Sequence, residues 1–205
     1  MRQAGLKAFA AVLVTLGAYL SQAQKTSSLA SDPLTETGQI NANGRNASYL
    51  VHHLPPNAFP DLPPSIAASI ASSGCLIPQT YAAHHPENVV HASLERAGSN
   101  DWALLCSNNR TVTLMVFFAS APQHPMILAS APETERLQRH DASQVLGFNW
   151  GIDPATPAQI HEAQVGMNHH PPALDHDALA DSVIDHRTVY HLYTKGGWTL
   201  VDLPE

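Results

Sequence analysis

Charge, cysteine and long apolar runs are all scarce in this chain. Only 13% of its 205 residues are Asp, Glu, Lys or Arg, against about 25% in ordinary soluble proteins, and lysine is reduced to Lys7, Lys25 and Lys195. With 10 Lys+Arg against 17 Asp+Glu, the basic surface that neutralises phosphates is missing, which excludes general nucleic-acid binding. Beyond Leu20 no stretch is apolar enough to span a bilayer, where ~20 such residues are needed. The two cysteines lack C-x-x-C spacing, and there is no G-x-S-x-G elbow, G-x-G-x-x-G turn or P-loop. The specific sequence cases for a thiol redox enzyme, an α/β-hydrolase, a dinucleotide enzyme and an NTPase therefore fall away.

Hydrophobic residues nevertheless make up 44% of the chain, which excludes disorder throughout. The length suits one domain rather than two full-sized ones. Histidine is the anomaly: 13 residues, more than all Lys and Arg together. Free imidazole takes up its proton in mild acid, so this content would move the net charge from negative toward zero or positive between about pH 7 and pH 5. A lysine-poor composition accounts for the same histidines without any function.

Arg2 and Lys7 precede an uncharged apolar run from Ala8 to Leu20, and Ser21-Gln22-Ala23 places small residues where an export peptidase reads them. Residues 1–23 are thus predicted to be a secretory signal peptide, too short in its apolar core for a membrane anchor. Residues 24–48, rich in Ser, Thr, Gly, Asn and Gln, are predicted to be a flexible leader. Residues 49–205 are predicted to form a single α+β domain, secreted or periplasmic. In that compartment Cys75 and Cys106, 31 residues apart, are expected to pair. Closing such a loop stabilises a fold by about 3–4 kcal/mol on the chain-entropy model.

A helix is predicted over Pro64–Ser72: proline suits the first turn, Ile66 and Ile70 stack at i,i+4, and Gly74 supplies the stop. Residues 89–94, 101–106 and 111–118, separated by short turns, predict a three-stranded antiparallel meander. Its last strand is apolar enough to be covered on both faces. Residues 126–128 read as a further strand, 133–139 as a weak helix and 145–152 as extended. Thr156-Pro157-Ala158-Gln159 combines a capping box with a first-turn proline and predicts a helix over 157–165. The chain closes as a hairpin, 188–194 and 198–203, with Trp198, Tyr190 and Tyr193 as a cross-strand aromatic cluster. The expected fold is an antiparallel sheet built on the central meander and the C-terminal hairpin, with two or three short helices and one disulfide.

The densest group of possible ligands lies in residues 168–186. His169, Asp175, His176 and Asp177 form its candidate set for a transition metal, because Zn²⁺, Cu²⁺ and Ni²⁺ accept imidazole and carboxylate. Asp175, Asp177 and Asp181 also echo the start of a calcium loop, but its glycine and terminal Glu are missing. His161-Glu162-Ala163-Gln164-Val165 begins like a zinc-protease helix, with Val165 where the second His belongs, and reads as an exposed helix face. His52-His53 and His84-His85 adjoin prolines and read as solvent-facing loop residues. Trp102 reads as core, with Asp101 capping the turn before it. Asn46-Ala47-Ser48 and Asn109-Arg110-Thr111 match the glycosylation acceptor pattern.

Together, Gly74-Cys75-Leu76-Ile77-Pro78-Gln79, Asn88-Val89-Val90, Asp101-Trp102-Ala103-Leu104-Leu105-Cys106-Ser107 and the strand ending Val116-Phe117 resemble a family of uncharacterised bacterial secreted proteins, with motifs G-C-x-I-P-Q and D-W-A-x-L-C. His176-Asp177-Ala178-Leu179 departs from that family's H-D-G-I at the glycine, while Tyr190 and Gly197-Trp198 fit its closing pattern loosely. The resemblance implies a shared fold with the cysteines paired, and transfers no activity. The expectation is a secreted, non-enzymatic binding or envelope-associated module, with an envelope or extracellular ligand, no nucleic acid, no stable membrane insertion and no cofactor. The alternative is a transition-metal-binding protein or metal-dependent enzyme using the loop 168–186.

Overall fold

The computed structural model describes residues 34–42, 44–140, 144–165 and 173–202. Its first strands form an antiparallel hairpin, β1 (Thr35–Ala42) and β2 (Arg45–Leu54). This corrects the flexible leader expected over residues 24–48 for residues 34–42 and 44–48; residues 24–33, like the expected signal peptide 1–23, lie outside the described residues. Apolar side chains are indeed few in β1, but the backbone ladder to β2 and one close approach hold it there. The Tyr49 ring lies on Gly38, where a Cβ would come within 2.7 Å of it, and the Tyr49 hydroxyl donates to Glu36 at 2.8 Å.

After a 3-10 turn at Pro56–Ala58 comes α1 (Pro64–Ser72), with the bounds the sequence predicts. Ile66 and Ile70 are its buried residues, and the Cys75 amide donates back to the Ile70 carbonyl at 3.1 Å across Gly74, the bond that closes a helix C-terminus. Next come β3 (Ile77–Gln79), β4 (Val89–Ala92), β5 (Asp101–Asn108), β6 (Thr111–Phe117) and β7 (Met126–Pro132). The weak helix expected over 133–139 is a 3-10 turn, Glu133–Arg136, followed by strand β8 (Leu137–Arg139). β9 (Leu146–Phe148) and β10 (Trp150–Ala155) lead to α2 (Pro157–Ala163), whose Thr156/Gln159 capping box is present as predicted. The chain ends its described course with β11 (Ala178–Val183), β12 (Arg187–Thr194) and β13 (Gly197–Asp202).

The strands form three sheets, where the sequence predicted one. The meander, extended by β7, is a four-stranded sheet in the order β4-β5-β6-β7, and the C-terminal hairpin belongs to another, β10-β11-β12-β13. The first hairpin joins a third, β1-β2-β9-β8, with β3 also paired to β2. Its β2–β9 ladder is parallel.

All three sheets face one core. Tyr49, Val51 and Phe148 enter it from the first sheet, Ala103, Leu105 and Leu114 from the meander, and Trp150, Ile152 and Leu179 from the C-terminal sheet. The meander's other face is covered by α1: Ile66 and Ile70 pack with Leu104, Phe117 and the bonded Cys75–Cys106 pair. It is therefore β5, buried from Asp101 to Ser107, that is covered on both faces. The strand expected to be doubly covered, β6, is so as well from Leu114 on: Leu114 and Val116 enter the shared core, while Phe117 and the half-buried Met115 pack on the α1 side. On the outer face of the C-terminal sheet, Ile160 of α2 packs with Ala178, Ala180 and Leu192. Tyr190 joins that packing, so the aromatic cluster on the inner face is Trp198 and Tyr193, 5.1 Å apart, with Phe118 and without Tyr190.

Candidate functional site

The described members of the predicted metal set, Asp175, His176 and Asp177, do not form a metal-binding group. His169 lies outside the described residues. Asp175 is exposed, whereas His176 is buried, with Nδ1 3.0 Å from the Asp177 carbonyl. Asp177 clips the chain to the end of β4: its amide donates to the Ser93 carbonyl at 3.0 Å, and its carboxylate accepts from the Ser93 amide at 3.0 Å. Residues 178–183 of the expected loop are strand β11. Among the described residues, no three His, Cys, Asp or Glu side chains stand close enough to hold a metal ion.

Histidines and acids do meet in two buried places. His53, expected in a solvent-facing loop, is an inward residue of β2, and its Nε2 lies 3.1 Å from Glu133 Oε2. The Ser107 hydroxyl donates to the same oxygen. Serine and histidine thus both serve the carboxylate rather than each other, so the trio lacks the serine–imidazole bond that activates a nucleophile. It instead joins β2 and β5, strands of two different sheets. In the C-terminal sheet, Asp181 accepts from Trp150 Nε1 at 2.7 Å and lies 3.0 Å from His191 Nε2.

Burial pushes the Glu133 carboxyl up. Hydrogen bonds from His53 and Ser107, with attraction to His53 and Arg110, outweigh this and hold it below its ordinary value of 4.5. A carboxyl depressed on folding binds fewer protons in the folded state, so its contribution is present above the unfolded value and lost as pH falls through the folded one. The stability gap between wild type and Glu133→Gln, measured by urea unfolding, is therefore expected to narrow from about pH 5 to about pH 3. A gap that stays constant over this range would count against the assignment.

Several clefts open on the described surface, and two of them are lined by both aromatic rings and histidine. One, of about 590 Å³, lies beside the 3-10 turn and is lined by Phe59, Asp61, His91 and Trp102 among others. Trp102 is core, as the sequence predicts, and His91 is stacked on it at 4.6 Å. The other, of about 680 Å³, lies over the outer face of the first sheet. Leu50, His52 and Leu54 point outward there because Val51 and His53 point inward, the alternation of a half-buried strand.

The wall of the second cleft is the loop from Tyr81 to Pro86, and its neck is hydrogen-bonded shut. Gln79 donates to the Glu87 carbonyl at 3.0 Å and accepts from the Glu87 amide at 3.0 Å. The Glu87 carboxylate takes the Thr80 amide at 3.0 Å and the Thr80 hydroxyl as well. The lining also includes Val145 and His140, the latter stacked on Tyr81 at 4.3 Å. Gly147 permits this stack, since a Cβ there would lie 2.6 Å from Tyr81 Cβ and 3.2 Å from His140. The Tyr81 hydroxyl donates to Asp185 at 2.8 Å; burial and that bond push its pKa up to about 12.

His52, His85 and His140 were not among the predicted site residues. One signal was available: Leu50-Val51-His52-His53-Leu54 reads as a strand with two leucines on the face opposite Val51, too apolar for a plain solvent face. The chain matches no family model, no curated protein and no solved structure.

Proposed function

We propose that the protein is a secreted, non-enzymatic binding module of the envelope or extracellular space, and that its ligand sits in the cleft over the outer face of the first sheet. The observation that carries the reading is the cleft itself: a strand face with outward Leu50 and Leu54, under a loop whose neck is clamped by Gln79, Thr80 and Glu87. A preformed concave surface with an apolar floor and a few polar groups is the usual form of a small-molecule site. Leu50 is 37% exposed, one of four large hydrophobic residues left open to solvent among the described residues. Export is supported by the basic and apolar pattern of residues 1–23 and by the Cys75–Cys106 bond. Among the described residues, no helix is long and apolar enough to cross a membrane. A binding role also fits the two buried histidine–acid pairs, which act as joints between strands below the surface.

Photo-crosslinking tests the reading. A benzoylphenylalanine in place of Leu50 is expected to capture one dominant species from envelope extract or culture fluid. The same group in place of Ile127, 65% exposed on β7, is the control. Repeated recovery of nothing from Leu50, or the same adducts from both positions, would overturn the assignment of the cleft.

A further inference from the structure

The titratable groups in the cleft are nearly all of one kind. Among the described residues lining it, these are His52, His85, His140 and the phenol of Tyr81, with no carboxylate, lysine or arginine, in a chain of formal net charge −7. Tyr81 keeps its proton across the physiological range. Imidazole is therefore what changes with pH: as a class it passes from neutral to cationic over about pH 8 to 5. Leu50, Leu54 and Val145 remain apolar throughout.

Among the described residues, the carboxylates near these imidazoles stand outside the lining. Glu87, at the loop neck, is held by Thr80; Asp153 on β10 is within electrostatic reach of His85 and Glu87; Asp185 accepts from Tyr81. His52 has the Thr35 hydroxyl at 2.9 Å from Nδ1. A proton taken up by any of these imidazoles adds positive charge to the lining above the same apolar floor, with the carboxylates of Glu87, Asp153 and Asp185 behind it.

We propose that this cleft binds an amphipathic organic anion, a carboxylate on an apolar body, and that mild acid tightens the complex. The imidazoles face the anionic head while the body lies on Leu50 and Leu54. The volume of about 680 Å³ falls within the roughly 300–1,000 Å³ of small-molecule sites. The proposal rests on the cleft being the ligand site, and it adds the ligand's class and its dependence on pH.

Calorimetric titration of the full chain, disulfide intact, with octanoate, octanesulfonate, octanol and octylammonium at about pH 7.5 and about pH 5.5 tests it. Octanesulfonate is ionised at both, which separates protonation of the protein from that of the ligand. Both anions are expected to bind about tenfold or more tightly at the lower pH, octanol equally at both, and octylammonium more weakly at the lower. His52→Gln, His85→Gln and His140→Gln combined, all exposed positions, are expected to remove the pH dependence; Leu50→Asp is expected to remove binding of the anions and of octanol. Circular dichroism confirms that each variant is folded. Octanol binding as tightly as octanesulfonate at both pH values, and lost in Leu50→Asp, overturns the anion proposal and keeps the cleft as a site. Binding of no probe at millimolar concentration, or anion binding unmoved by these variants, also overturns it, while the cross-link from Leu50 decides separately whether the cleft is used at all.

Discussion

Asn88→Ala is expected to lower folding stability by about 3–5 kcal/mol, a large part of the 5–15 kcal/mol that typical domains possess. Asn88 is buried, and its amide nitrogen donates to the carbonyls of Pro78 at 2.8 Å and Trp150 at 3.1 Å. Its amide oxygen accepts from the Ile152 backbone at 3.1 Å, and its own carbonyl takes the Leu105 amide at 3.1 Å. One residue therefore ties β3, β10 and β5, strands of three different sheets. Truncation strands two carbonyls and one amide in the interior, each worth about 1–3 kcal/mol when left unsatisfied. Asn88 also sits at φ 68°, in the left-handed region, where alanine adds backbone strain that glycine does not. Asn88→Gly is thus expected to lose somewhat less than Asn88→Ala, and the difference isolates the backbone share. Urea unfolding of the three proteins measures both; a loss below about 1 kcal/mol for the alanine variant would mean that the amide is not the joint described.

Asp101 carries the second large effect. Its carboxylate is 0% exposed, yet the groups that bond it are not side-chain cations. They are the backbone amides of Leu94 at 2.9 Å, Glu95 at 2.7 Å and Ala119 at 2.8 Å, with the Ser99 hydroxyl. Converging N–H dipoles make an anion site of the kind formed in backbone nests, and here the protein's own side chain fills it. The carboxylate fixes the turn between β4 and β5 and pins the chain just after β6 to it. Asp101→Ala is expected to lose about 3–5 kcal/mol, from three donors left without an acceptor in a closed site. Asp101→Asn keeps the shape but turns an NH₂ group toward donors, and about 2–4 kcal/mol is expected to go with it. Thermal and urea unfolding decide the matter: an asparagine variant as stable as wild type would show that shape alone, and not the carboxylate, holds the turn.

What could be read from the sequence was local. Proline at a first turn, isoleucines four apart, a threonine followed by glutamine three places on, and tight turns between apolar runs each act over a few residues, and both helices and the central meander follow from them. Sheet membership depends on partners far apart in sequence, so nothing near residues 188–203 shows that this hairpin pairs with β11 and not with the meander. β1 escaped because the reading weighed side-chain burial, whereas that strand is held by its ladder and by Gly38 under Tyr49. β11 was hidden because Asp181 and its acidic neighbours look like ligands, although Asp181 turns inward to Trp150 and His191. The turn-capping role of Asp101 was legible, since an aspartate just after a tight turn can cap it. The cleft was only half legible: the outward leucines of β2 are visible, but the loop that roofs them is closed by Gln79 and Glu87, eight positions apart, and no residue pattern marks that closure.

The parallel ladder between β2 and β9 sets an order of events in time. Tyr49 pairs with Leu146 and Leu50 with Gly147, roughly a hundred positions apart, a separation that makes such pairing slow to form. A chain made from its N-terminus completes the β1–β2 hairpin long before β9 exists, leaving one edge of β2 open in the interval. An open edge is where strands of different chains join. Apart from the three residues of β3, which reach β2 early, that edge stays open to a wrong partner from the synthesis of Leu54 until that of Phe148.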